Sequence, residues 1–326
     1  MSTSFFDKPA EEQTDSLTQF AHHILIQYGI KDAEVECINF EFNATFSVTT
    51  DSGRRYALRL NINSTRNEAN IAAEVQWVRA LSRVAGINVP SPIATLDDQF
   101  VISALHEDSQ QFIYGVMYSW LEGEEIGDEP TLDQLNLVGR SIALMHENSI
   151  DFALEVNAQL PTFDDFFWGT EDYLFSDKST LQPEHKDAIQ RAHDLIMKYT
   201  KQLYAESEAH IIHADYHGWN LMWHEGQLSI FDFDDCGFGV EAQDLAVALY
   251  YLDTPEQDAA LLDGYKSVRP LPVYSENAMK ALLLQRRLLL LNYLFETKNA
   301  EHKEMLPAYL EKSMERVSAF LTDVTQ

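Results

Sequence analysis

The sequence predicts an α+β protein of two lobes, a small β-rich lobe first and a larger helical lobe after it. Three observations carry this. Alternating and β-branched residues are confined almost wholly to the first third of the chain, helical spacing dominates from Thr131 onward, and 326 residues is about twice the length of an ordinary domain. Apolar residues at 45% and charged residues at 23% supply a normal core and set the chain apart from disordered sequences.

The elements follow in order. Leu17, Phe20, Ala21, Ile24, Leu25 and Tyr28 recur at helical spacing across residues 14 to 28, and Gly29 follows as a C-cap. From 34 to 62 the pattern switches to alternation, and the turn Asp51-Ser52-Gly53 between two alternating runs predicts a β-meander. A helix over 66 to 83 comes next, stopped by Gly86 and the extended Val89-Pro90-Ser91-Pro92, and two further strands are expected near 99 to 105 and 111 to 119. The rest reads as helices over 131 to 148, 183 to 205, 241 to 252, 255 to 267, 276 to 297 and 301 to 322, interrupted by one β patch at 210 to 233. With no internal repeat or low-complexity linker, Tyr118 to Glu125 is the joint. The expected organisation is a lobe over 1–116, a hinge at 117–123 and a helical lobe over 124–326, with a ligand cleft between the lobes.

Composition narrows the partners. Asp and Glu number 52 against 23 Lys and Arg, a net charge of −29 that repels nucleic acid backbones and anionic membranes. The excess reads either as a solvated surface or as a match to a cationic substrate. The longest apolar run, residues 281 to 295, is broken by Arg286 and Arg287 and falls short of the roughly 18 residues a membrane span needs. The first residues show neither the basic start nor the apolar stretch of a signal peptide, so a cytoplasmic location is expected. Cys37 and Cys236 stand too far apart to form a redox or metal spacing and read as free thiols.

Chemistry concentrates in one stretch. Ile211-Ile-His213-Ala-Asp215-Tyr-His217-Gly-Trp-Asn220 is followed by Gln227-Leu-Ser-Ile-Phe-Asp232-Phe-Asp234-Asp235. A short apolar strand delivers Asp215 into a loop, Asn220 closes the loop, and a second apolar strand ends at Asp232. Phosphoryl transfer from a nucleotide needs this set: a carboxylate to accept the hydroxyl proton, and an amide and a carboxylate oxygen to hold Mg²⁺ against the phosphates. The rival readings are ordinary loop polarity and a transition-metal site of His213, Asp215 and His217, alternate residues that can face one centre. No further His or Cys cluster completes such a shell.

This cluster resembles the catalytic loop of the aminoglycoside phosphotransferase and choline kinase family, a branch of the protein-kinase-like fold, whose pattern is His-Gly-Asp-x-His-x-x-Asn followed by an Ile-Asp strand end. The resemblance covers nearly the whole chain and implies a bilobal kinase-like fold using ATP and Mg²⁺. It implies Asp215 as catalytic base, Asn220 and Asp232 as Mg²⁺ ligands, His213 as a support of the loop, His217 as structural, and Asp244 as a buttress. The match departs from the family at Ala214, where Gly is usual, and at Gly218-Trp219, where Pro-Gly is usual. Neither change removes a catalytic oxygen.

For the first lobe, residues 54 to 83 hold six Arg and two Glu, an island of positive charge suited to phosphate. Tyr56-Ala-Leu-Arg59-Leu resembles the kinase strand that carries a phosphate-bridging Lys, with Arg59 here in its place, Glu74 as the expected partner and Glu68 as the second candidate. Arg keeps its charge and offers a fork to phosphate and carboxylate, with a reach and geometry unlike those of Lys. Asn43, Ala44 and Thr45 lie where kinases have a glycine-rich loop and can offer small side chains and backbone N–H groups. Met117-Tyr-Ser-Trp-Leu-Glu-Gly123 resembles the family hinge, in which Ser119, Trp120 and Leu121 would face the adenine edge. His146, in a stretch resembling the next family helix, reads as packing.

The reading is thus an ATP-dependent kinase acting on a hydroxyl of a small molecule: an amino alcohol, an aminoglycoside or a homoserine-like metabolite. Phe-Asp232-Phe-Asp-Asp235-Cys-Gly-Phe-Gly also resembles the bacterial stress-response kinases that act on protein Ser or Thr. A nucleotide-binding pseudokinase is the rival of a different class.

Overall fold

In a computed structural model the described residues are 4–324. The leader reading of the N-terminus rests in part on residues 1–3, which lie outside them. The chain divides into two compact units, each described by itself: residues 1–124, 152–160 and 222–234 form the first, and 125–151, 161–221 and 235–326 the second. The expected helical lobe over 124–326 therefore gives two of its segments to the first unit.

In the first unit, helix α1 (Ala10–Leu25) precedes the antiparallel strands β1 (Ala33–Phe40), β2 (Asn43–Thr50) and β3 (Arg55–Asn61). Helix α2 (Glu68–Leu81) follows, then β4 (Pro92–Ile93), β5 (Ile102–His106) and β6 (Gln111–Ser119). The sheet order is β1-β2-β3-β6-β4, with β5 also on β6. Alternation explains its burial: Phe46 and Val48 of β2 and Leu58 and Leu60 of β3 turn inward, and Leu17, Ala21 and Ile24 of α1 join the same core. The meander and both later strands lie where the sequence places them. β4 is only two residues long and carries Pro92, too short for any alternation to mark it. Helix α2 starts at a capping box in which the Asn67 side chain accepts from Asn70 N–H at 3.1 Å and Asn70 returns the bond.

The two late segments hold to this unit through α2 and the chain after it. Gln159 N–H donates to the Ala69 carbonyl, Ile230 N–H donates to the Asn88 carbonyl at 2.9 Å, and the Phe233 ring meets the buried Trp77 edge to face at 5.6 Å. Strands β7 (Glu124–Glu125), β9 (Leu221–His224) and β10 (Gln227–Ile230) form a small sheet of their own.

The second unit is helical: α3 (Leu132–Asp151), α4 (Pro183–Glu206), α5 (Glu241–Tyr250), α6 (Pro255–Lys266), α7 (Glu276–Glu296) and α8 (Ala300–Val324). One of its cores joins Ile189 and Ile196 of α4, Leu284, Leu288 and Leu291 of α7, and Val317 and Phe320 of α8. Strands β8 (His210–Ile212) and β11 (Gly237–Gly239) pair antiparallel. β11 is absent from the sequence reading because two of its three residues are glycine, which carry no alternation. No helix among the described residues is long and apolar enough to cross a membrane.

Candidate active site

The loop from His213 to Asn220 is built on buried pairs. β8 runs into His213, whose N–H donates to Asp244 Oδ2 at 3.2 Å, and Ala214 N–H donates to Asp244 Oδ1 at 2.7 Å. Asp244 is fully buried at the start of α5, and His146 Nε2 from α3 lies 3.1 Å from its Oδ2. The other ring nitrogen of His146 lies 3.0 Å from the Tyr265 hydroxyl, so this histidine packs and positions. Burial alone would raise the Asp244 pKa; the His146 hydrogen bond and charge, His213 and the Ala214 N–H reverse that and hold it below its ordinary value. The sign for stability follows. Folded Asp244 binds protons less readily than unfolded Asp244, so its contribution is full above about pH 4 and is lost as the pH falls further. Asp244→Asn is expected to cost about 3 kcal/mol at pH 7 and to flatten stability between pH 4 and 2, as read by urea denaturation at each pH.

Ala214 sits at φ 67, the left-handed region where Gly is comfortable and a Cβ is strained. The family's Gly at this position has that physical reason, and here the two Asp244 hydrogen bonds hold an alanine in the same conformation. At Gly218 the demand is steric: an added Cβ would lie 1.8 Å from the Gly127 carbonyl oxygen. The Pro of the usual family pattern is therefore excluded here by contact as well as by sequence.

Asp215 follows. His217 Nδ1 accepts from Trp219 N–H at 3.3 Å, so its proton is on Nε2, which donates to Asp215 Oδ2 at 3.1 Å. Asn220 Nδ2 donates to the same Oδ2 at 2.8 Å and to the Asp215 carbonyl at 3.0 Å. The Asn220 amide oxygen thereby lies on the side of its group away from Asp215, as a metal ligand requires. The other carboxylate oxygen, Oδ1, is bonded by Arg286 Nη2 of α7, which also donates to the Tyr251 hydroxyl at 2.7 Å. Burial would raise the Asp215 pKa, yet Arg286, then His217 and His213, hold it far below the usual carboxylate range. Asp215 is therefore ionised at neutral pH.

In the first unit, Arg59 of β3 is paired through Nη2 with Glu74 of α2, and its Nη1 stands 3.7 Å from Asp234. Tyr118 donates its hydroxyl to Glu74 Oε1 at 3.0 Å. Burial opposes the Arg59 charge, but Glu74 first, then Tyr118 and Asp234, raise its pKa well above the ordinary value. Glu68, the other candidate partner, is exposed at the first turn of α2. Asn43 Nδ2 donates to Asp234 Oδ2 at 3.1 Å; its own buried Oδ1 has no hydrogen-bond partner among the described residues, and Asp234 Oδ1 has only the Arg59 charge. Thr45 faces Arg59 in the β2–β3 register, and Ala44 is buried beside it. Asp232 is exposed and held at φ 60, two residues past the end of β10. Asp232 belongs to the first unit and Asn220 to the second.

At the hinge, Ser119 donates its N–H to the Ser91 carbonyl at 2.8 Å, so of its backbone groups only the carbonyl is left to a purine, and Arg55 stacks on the Trp120 ring at 3.8 Å. Gly123 ends this segment at φ 122, where a Cβ would lie 2.4 Å from the Trp223 carbonyl oxygen. The arginine island also disperses: Arg79 stacks on Phe100 at 3.9 Å while Arg59 is buried on Glu74. A transition-metal site of His213, Asp215 and His217 has no support, since His213 Nδ1 accepts from Asp215 N–H at 3.3 Å and His217 uses both nitrogens within the loop. The sequence reading missed Arg286, Tyr251, Tyr118 and the role of Asp234. One signal was present: two adjacent arginines inside an apolar helix are buried only if paired.

The second unit holds a buried, ionised aspartate, the first a buried arginine paired with a glutamate, and the fold is kinase-like. A model of the "Phosphotransferase enzyme family" matches residues 40–276, and the chain belongs to that family. It is 24% identical over 302 residues to the amicoumacin kinase of Bacillus subtilis (strain 168), covering 87% of this chain and 88% of that one. Among solved structures it is similar to a microcompartment-associated aminopropanol kinase, with TM-score 0.78 and 23% identity over 94% of this chain and 98% of the other. It is also similar to an amicoumacin kinase in complex with AMP-PNP, Ca²⁺ and Ami, with TM-score 0.70 and 17% identity over 94% and 96%. The protein is an ATP-dependent small-molecule phosphotransferase.

Proposed function

We propose that this enzyme phosphorylates the hydroxyl of a small amino alcohol, with Asp215 as the base, Asn220 and Asp232 as ligands of Mg²⁺, and Arg59, positioned by Glu74, as the phosphate-holding cation. Asn43, Thr45 and the backbone at Trp120 and Leu121 complete the nucleotide contacts. The observation that carries the reading is the state of Asp215, ionised and fixed on three sides by Arg286, His217 and Asn220. Such a carboxylate orients a hydroxyl and takes its proton as the oxygen attacks phosphorus. When bound, Mg²⁺ neutralises the phosphate charge, and two protein oxygens suit an ion that keeps most of its octahedral shell for waters and nucleotide oxygens.

The amine is favoured by the surface beside the loop. Trp219, half exposed, donates its indole N–H to Asp128 Oδ1 at 3.0 Å, which fixes a carboxylate next to an open aromatic face. That pair suits an alkylammonium group. The aminopropanol kinase likeness points the same way. The test offers 1-amino-2-propanol, ethanolamine, homoserine, hygromycin B and a generic protein to the purified enzyme with ATP and Mg²⁺, and reads phosphate transfer by mass. Transfer to an amino alcohol, lost when the amine is replaced by hydrogen, is expected. Transfer to protein alone, or equal use of the alcohol lacking an amine, overturns the reading.

A further inference from the structure

Two adjacent buried arginines on α7 behave differently. Arg287 is fully engaged: Nε donates to Ser313 Oγ at 2.9 Å, Nη1 to the Tyr250 hydroxyl at 3.2 Å and Nη2 to the Tyr309 carbonyl at 3.0 Å, with its plane stacked on the Tyr309 ring. Arg286, only 9% exposed, uses Nη2 on Asp215 and Tyr251, while its Nε–H is buried without any protein partner. A buried donor left open on a charged group is a cost the fold does not carry without reason.

The carboxylate beside it is also unevenly filled. Among the described residues, Asp215 Oδ2 accepts from both His217 and Asn220, whereas Oδ1 accepts from Arg286 alone. The remaining lone pair of the base is therefore on the oxygen that the guanidinium touches. Any hydroxyl that gives its proton to Asp215 docks against Arg286 as well. The loop itself, Asp215-Tyr-His-Gly-Trp-Asn220, contains neither Lys nor Arg, so the cation at the base comes from α7.

We propose that Arg286 is a second catalytic residue, which binds the acceptor oxygen beside Asp215 Oδ1 and then the phosphoryl group that this oxygen receives. The acceptor O–H proton passes to Oδ1 as the new O–P bond forms, and the bond from phosphorus to the ADP oxygen breaks with its electron pair leaving on ADP. As Asp215 takes the proton it ceases to neutralise Arg286. The guanidinium charge then serves the phosphoryl oxygens, at the place and moment negative charge moves there. Arg286 thus changes its anionic partner from carboxylate to phosphoester during one turnover. The inference rests on Asp215 as the base and does not depend on which alcohol is the acceptor.

The test needs no identified acceptor. Melting temperature is measured for wild type, Arg286→Gln, Arg286→Lys and Arg287→Lys with Mg²⁺ and ADP, and again with tetrafluoroaluminate added as a mimic of the transferring phosphoryl group. Wild type and Arg287→Lys are expected to gain a further rise from tetrafluoroaluminate. Arg286→Gln should keep the rise from ADP and lose the second, and Arg286→Lys should retain a part of it, since Lys restores charge without the fork. With an acceptor in hand, Arg286→Gln should lower kcat by about 10³-fold, the low end for an arginine acting on a transferring phosphoryl group, with KM for ATP little changed. An undiminished tetrafluoroaluminate rise in Arg286→Gln overturns the proposal. If that variant does not fold, equal rises in Arg286→Lys and Arg287→Lys overturn it instead. Failure of every amino alcohol in the acceptor screen leaves these readings intact and counts only against the acceptor assignment.

Discussion

Asp215→Asn is expected to lower kcat by about 100-fold or more while ATP with Mg²⁺ still raises the melting temperature, because the amide keeps the shape of the side chain and removes the base. The structure adds a cost in stability. An amide can turn its oxygen toward Arg286, but its NH₂ then meets the His217 Nε2–H and the Asn220 NH₂, both donors. Turning the group over sets the NH₂ against the guanidinium. Either way one donor pair is opposed and the buried Arg286 loses its counter-charge, for a loss of about 3 kcal/mol. Denaturation curves measure that loss, and kinetics taken well below the variant's melting temperature keep it apart from catalysis. Near-normal turnover would make Asp215 a structural residue.

The second large effect belongs to Arg59. Arg59→Ala leaves Glu74, 3% exposed, and Asp234 without their cation, and is expected to cost about 3–5 kcal/mol as well as most nucleotide use. Arg59→Lys keeps a charge there but cannot send separate nitrogens to Glu74 and Asp234. It should remain measurably active with a raised KM for ATP. Steady-state kinetics on both variants, with urea denaturation alongside, check this. Equal activity in Arg59→Ala and wild type would hand the phosphate to another arginine of the 54 to 83 stretch.

What the sequence discloses and what it hides follow from the range of the interactions. Alternation in Phe46, Val48, Leu58 and Leu60 and the 3.6-residue spacing of Leu17, Ile24, Leu284, Leu288 and Leu291 are local patterns. They place nearly every long element within a few residues. Asp215, Asn220 and Asp232 stand out in the sequence because one loop and one strand end carry them at fixed spacing, and Asp244 follows at the start of the next helix. Arg286 is not, because its meeting with Asp215 joins positions 71 apart in the chain, and no spacing rule spans that distance. The same holds for Asp234 with Asn43, 191 apart. The partner of the Ser119 N–H is hidden for a third reason. That N–H is taken by Ser91 across a two-residue strand pairing, which carries no periodicity of its own.

The first unit is stitched from three segments, the last ending at Asp234. On a ribosome this sets an order of events. When residue 124 has been made, the sheet and α1 can form, but Trp77 has no Phe233 to meet and the Asn88 carbonyl has no Ile230 N–H. Those partners arrive about 110 residues later, roughly 5–20 s at ordinary rates of synthesis. Over that interval Arg59 holds Glu74 without Asp234, and much of the helical unit is already emerging. The first unit is complete only when its last segment, residues 222–234, has been made.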